Sequence, residues 1–158
     1  MDFRIAAART AASQTTQTAS IVEALIHETD EVARRYDLVA STVPYRTFGT
    51  GPLGDDVVEV TQALGAATWQ RIGEEVPNYA FAENLGQRYR RERIPVGSLL
   101  LHWQVLRRAI HLVLANQQMR SGYGGETVLR EMTLMNYIMD RAIEASVVGY
   151  VIAEQSAG

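Results

Sequence analysis

The stretch that decides the fold runs from Ile94 to Arg120, IPVGSLLLHWQVLRRAIHLVLANQQMR. Leu99, Trp103, Leu106, Ile110 and Val113 recur at steps of four and three. At about 100° per residue that spacing puts them on one helical face. Leu101, Val105 and Leu112 make a second row, roughly opposite the first. A helix that is apolar on two sides must be sandwiched between neighbours, so the pattern predicts a central helix from Pro95 to about Arg120. Ile94-Pro95 marks its start, because proline disfavours helical geometry at the residue before it and suits the first turn of a new helix.

On the N-terminal side, Val22, Leu25, Thr29, Val32, Tyr36 and Val39 keep the same three-four rhythm and predict a first long helix. Ser41 to Gly54 holds Pro44, Gly49, Gly51, Pro52 and Gly54 and reads as a loop. The next helix opens at Asp55 or Asp56, where Asp56-Val57-Val58-Glu59 has capping-box spacing with a carboxylate in place of the hydroxyl. Val57, Val60, Leu64 and Ala67 form its stripe, Trp69 and Ile72 extend it, and Pro77-Asn78 ends it and can cap another segment. Tyr79, Phe81, Ala82, Leu85 and Tyr89 follow on a short helix that closes in Arg88-Tyr89-Arg90-Arg91-Glu92-Arg93.

Beyond the central helix, Ser121-Gly122-Tyr123-Gly124-Gly125 is a turn. The last helix is expected from Glu126 to Ala153, with Val128, Met132, Met135, Met139 and Ala142 in one row continued by Ser146 and Gly149. Arg130, Thr133, Asp140 and Glu144 fall on its other face. No segment alternates as a strand would, and no repeat occurs at solenoid periods. The expected architecture is an all-α helical bundle around a two-sided central helix, with no sheet. Residues 1–17, rich in Ala, Thr and Gln, are expected to be a flexible or frayed helical lead-in, and 18–158 a single helical domain.

Composition narrows the chemistry. A chain of 158 residues with 47% hydrophobic residues can bury one real core. No apolar run approaches the about 20 residues that span a bilayer, and the N-terminus lacks a secretory apolar region. A cytoplasmic protein with no membrane contact is the expectation. The absence of cysteine excludes disulfides, thiolate metal sites and cysteine nucleophiles. All 15 basic residues are arginine, which excludes a Schiff-base lysine and a P-loop lysine. A net charge of −3 points to no polyanionic partner.

The histidines are His27, His102 and His111. His102 and His111 lie nine residues apart on one helix, so they point about 180° apart and cannot share a metal. His102, at the edge of the main apolar stripe, reads as a hydrogen-bonded core histidine; the alternative is a single axial haem ligand. Asp55-Asp56 suits a helix start, and Glu74-Glu75 near a helix end reads as solvated. No nucleophile elbow, phosphate loop or dinucleotide fingerprint is present. The Arg88–Arg93 cluster could grip phosphates. Its place at a helix C-terminus, with Glu83 and Glu92 nearby, favours a solvated or internally paired cluster. The helix after Ile94-Pro95 is too apolar to lie in a DNA groove, so no direct nucleic-acid contact is expected. Met132, Met135 and Met139 read as core, with a pocket or an interface as the other reading. No catalytic residue, metal or cofactor is assigned, and the chain reads as a non-enzyme.

One stretch goes beyond generic helix. Glu83 to Leu100, ENLGQRYRRERIPVGSLL, leads into Trp103-Gln104-Val105-Leu106-Arg107-Arg108. It resembles a segment of RsbRD-type N-terminal domains, named after the co-antagonists of RsbT in the bacterial stressosome, and a similar segment in PucR-like transcription regulators. Val43-Pro44-Tyr45-Arg46, and Tyr137 to Ala142 through Gly149-Tyr150, also resemble these domains, so the likeness covers about residues 20–153. Arg93 stands where a glycine is usual, Arg90 or Arg91 replaces a small residue, and Val96 replaces a leucine. The resemblance implies a globin-like helical domain without haem, typically dimeric. It would pass a signal to an output domain or a regulatory protein partner. The alternative function is a ligand- or haem-binding globin-like sensor using His102. Surplus apolar helix surface independently suggests a homodimer built partly through the first long helix and the last.

Overall fold

The computed structural model describes residues 22–44, 49–121 and 125–157, and among them every regular element is a helix. The expected lead-in over 1–17, Tyr45, Arg46, the glycine turn at 122–124 and the side chain of Val128 lie outside the described residues. In chain order the helices are α1 (residues 22–27), α2 (Thr29–Ala40), α3 (Pro52–Asp55), α4 (Val57–Ile72), α5 (Ala80–Arg91), α6 (Val96–Ser121) and α7 (Gly125–Ala157). They form the all-helical bundle that the apolar spacing predicts.

α1 and α2 are nearly one helix. The Glu28 amide still reaches the Ala24 carbonyl, and Val32 reaches Glu28, across the irregular turn. Val22, Leu25, Thr29, Val32 and Tyr36 are buried on one side. α6 is packed on both faces as its two rows require. Leu99, Trp103, Leu106, Ile110 and Val113 are buried, and so is Val105 in the opposite row, with Leu101 and Leu112 half-buried. α2 covers one side of α6, and α7 runs antiparallel along another, with Trp103, Arg107 and His111 bonded to Ser146, Asp140 and Asn136 in turn. Met135, Met139, Ala142, Ser146 and Gly149 of α7 face the core, Met132 is half-buried, and Ile138 joins them.

Three local expectations are corrected. The loop expected from Ser41 to Gly54 contains α3, because Pro52 suits a helix start and the fully buried Leu53 anchors it. Asp56 does not close a capping box: its side chain reaches no first-turn amide of α4 and instead accepts from Arg88 Nη1 at 2.6 Å. α4 stops at Ile72, before Pro77-Asn78, and Asn78 serves the next helix, its Oδ1 accepting from the Ala80 amide at 2.9 Å.

Both α4 and α5 end in the same backbone motif. After α4, Glu75 donates to the Gln70 carbonyl and Glu74 to Arg71; after α5, Ile94 donates to Tyr89 and Arg93 to Arg90. These paired bonds make a Schellman turn, in which the residue after the C-cap sits in the left-handed region that favours glycine. Here the residues are Glu74 at φ 60° and Arg93 at φ 58°.

The tightest helix contact is α5 on α7. A methyl group added at Gly86 would stand 1.7 Å from the Ser146 carbonyl oxygen, and one added at Gly149 would stand 2.1 Å from the Glu83 carbonyl oxygen. The two backbones touch, each through the other's glycine. Trp103 on α6 pins the same place, its Nε1 donating to Ser146 Oγ at 3.0 Å. Gly86→Ala and Gly149→Ala must therefore push main chain against main chain. Each is expected to cost about 3 kcal/mol, the upper end of ordinary overpacking, seen as a lower urea midpoint. Gly97→Ala, with nothing within 4 Å of the new methyl, is expected to be neutral or slightly stabilising.

Candidate functional site

Tyr89 closes the buried face of α5, and His102 stands on α6 beside the main apolar row; both are essentially unexposed. Their chain separation hides a direct contact: Tyr89 Oη lies 2.6 Å from His102 Nδ1. The rings meet edge to face at 5.6 Å. The Leu53 amide of α3 also donates to Tyr89 Oη, at 3.2 Å. Burial pushes the Tyr89 phenol well above its usual range, so it stays neutral. One hydroxyl thus ties α3, α5 and α6 together.

Gly51 seals the pair. A methyl there would stand 2.7 Å from Tyr89 Oη and 2.8 Å from His102 Cε1. Outside this lid lies a hollow of about 620 Å³ between the end of α2, the 49–55 segment and the end of α5. Asp37, Thr50, Asp55, Arg88 and Glu92 give it a polar wall. Arg88 is held there by Asp56 at 2.6 Å and Glu92 at 3.8 Å. The volume suits a small polar molecule. His102 is not on that wall, and its Nδ1 is engaged by Tyr89. An axial haem ligand must present a ring nitrogen to an open space, and the hollow offers no such nitrogen from His102. His111 bonds Asn136 of α7 at 2.8 Å through Nε2, and His27 faces solvent beside Glu23. The three histidines are therefore not brought together. Among the described residues no group of three His, Cys, Asp or Glu side chains could hold a metal ion.

The arginine cluster divides. Arg88 is internally paired, whereas Arg90, Arg91 and Arg93 make no ion pair among the described residues. Tyr150 of α7 donates to the Ile94 carbonyl at 2.8 Å, so the Ile94-Pro95 break is tied to the last helix.

Sequence reasoning missed one titratable group. Glu131 of α7 is only 5% exposed, and neither of its carboxylate oxygens has a hydrogen-bond partner. Its position four residues before Met135 on the core face was the available signal.

Scans against protein-family models, curated proteins and solved structures return no match to this chain. Among the described residues, no helix is long and apolar enough to cross a membrane.

Burial pushes the Glu131 carboxyl up from 4.5 to about 7. The folded chain then holds this proton to higher pH than the unfolded chain, so stability falls as pH rises from about 4.5 to about 7 and stays lower above that. Glu131→Gln is expected to flatten the fall and to raise stability at pH 8 by on the order of 2 kcal/mol. Urea midpoints of both proteins at pH 5 and pH 8 measure it; an equal fall in the two would assign the pH dependence elsewhere.

Proposed function

We propose that the chain is a non-catalytic sensory and dimerisation domain of a bacterial signalling or transcription regulator. It takes up a small polar ligand and passes the signal to an output domain or partner protein. The observation that carries this reading is a run of side-chain hydrogen bonds leading away from the 620 Å³ hollow. Leu53 bonds Tyr89, Tyr89 bonds His102 on α6, and the adjacent Trp103 bonds Ser146 on α7. A ligand that shifts the 49–55 segment would bear on Tyr89 first, and through α6 on α7. The resemblance to RsbRD-type and PucR-like domains supports the reading, since the resembling segment includes Gly86, Tyr89, Ile94-Pro95 and Trp103. Signalling then needs only a small helix movement that a ligand favours in one of two packings.

The same reading makes the protein a symmetric homodimer. Val148, Val151 and Ile152 lie on one exposed side of α7, between 42% and 49% exposed. Val96 and Leu100 of α6 are exposed near the same end of the helix pair, where Tyr150 meets Ile94. Such an apolar row at the end of the signal path suits a subunit interface.

Light scattering at tens of micromolar is expected to give twice the 17.5 kDa chain mass. The pair Val148→Asp and Val151→Asp is expected to give the monomer with an unchanged helical circular dichroism spectrum. A monomeric parent protein removes the dimer reading. For the signal path the probe is Tyr89→Phe, which deletes the shared hydroxyl at a cost of about 1–3 kcal/mol. It is expected to alter output in a reporter assay of a full-length regulator while the dimer persists. If output changes only when the protein unfolds or dissociates, the domain is a passive dimeriser. An absorbance scan of the purified protein tests the haem alternative, for which a Soret band would be the sign.

A further inference from the structure

We propose that the turn between α5 and α6 is a binding site for a soluble small molecule carrying a diphosphate group, gripped by Arg90, Arg91 and Arg93. These arginines line an open hollow of about 760 Å³ together with Pro95, Tyr150 and Ala153. The volume is that of a small-molecule site, and none of its lining residues is acidic. Arg34, Arg35, Arg88, Arg107, Arg130 and Arg141 each pair with a carboxylate. Among the described residues Arg71, Arg108, Arg90, Arg91 and Arg93 do not, and the last three of these share one hollow. Glu92, the nearest carboxylate in sequence, turns to Arg88 instead.

Helix electrostatics explain part of this cluster. Arg90 and Arg91 fall in the last turn of α5, where cations are favoured. Arg93 lies beyond the helix and has no such reason. It holds the left-handed position of the Schellman turn at φ 58°, where glycine would relieve strain. Three guanidinium groups carry three positive charges that do not titrate in the physiological range. Each presents a planar fork suited to phosphate oxygens. One phosphate leaves that charge under-matched, whereas a diphosphate comes closer to matching it. Tyr150, fixed by its bond to the Ile94 carbonyl, provides a rigid wall on the α7 side. The proposal is independent of the dimer and signal reading, so either can fail alone.

The test is calorimetric titration of the whole chain with sodium pyrophosphate at constant ionic strength, with melting temperatures measured alongside. The parent protein is expected to bind pyrophosphate and melt higher in its presence. Arg91→Gln is expected to weaken binding at least tenfold. The deciding variant is Arg93→Gly, which is expected to melt higher than the parent yet bind at least tenfold more weakly. Glu74→Gly relieves the same left-handed strain at the other helix end. It is expected to melt higher and bind like the parent. Pyrophosphate binding that is unchanged in Arg93→Gly, or no stronger than that of sulfate, overturns the proposal. Binding seen only with duplex DNA or with acidic phospholipid vesicles overturns it too.

Discussion

The main-chain contact between α5 and α7 is the constraint on which the rest of the structure depends. Gly86 and Gly149 allow the two helices to approach until each backbone meets the carbonyl of the other. No pair of larger residues could reproduce that distance, because a single methyl group at either site would overlap a carbonyl oxygen. Everything at the α5–α6 end is referred to this crossing. It brings Ser146 within reach of Trp103, and Tyr150 within reach of the Ile94 carbonyl. The turn at Arg93 takes the chain from α5 into α6 while both helices stay against α7.

The polar interior is economical. Tyr89 hydroxyl serves α3, α5 and α6 at once, and Ser146 hydroxyl receives from Trp103 while donating to the Ile143 carbonyl. Buried polar groups that are satisfied in this way specify one packing among the several that an apolar bundle would tolerate. Thr61 Oγ1 and the Glu131 carboxylate are exceptions, buried without a hydrogen-bond partner, and the fold carries the Glu131 carboxyl at a cost above neutral pH.

Much of the fold was legible because hydrophobic periodicity is a direct record of burial. The rows on α2 and α6, and most of that on α7, were read from spacing alone. The α5–α7 crossing was not, because glycine does not register in an apolar count. Its signal is of another kind: Gly86 inside a short helix costs about 1 kcal/mol against alanine, which calls for a packing reason. Asp56 was placed at a cap because its neighbours in sequence fit a capping box, while its true partner, Arg88, lies 32 residues away. α3 was hidden by the glycines and prolines around it. The Tyr89–His102 contact joins two helices whose separate patterns say only that each residue sits at a buried edge. The division of the arginine cluster into paired and unpaired members likewise depends on Asp56, at the junction of α3 and α4, which no local reading supplies.

The position of the glycine crossing gives α7 the mechanics of a lever. Gly149 lies toward one end of a helix of 33 residues, and Glu126 toward the other. At about 1.5 Å per residue the arm between them is roughly 35 Å long. The fulcrum is backbone against backbone, whereas the long arm is held by yielding contacts: the Arg107–Asp140 ion pair, the His111–Asn136 bond and the Thr68 hydroxyl on Met135 sulfur. A rotation of about 5° at the fulcrum would carry the Glu126 end by roughly 3 Å. The residues that fit most tightly are thus the ones that convert a small angular change into a displacement a neighbouring molecule can feel.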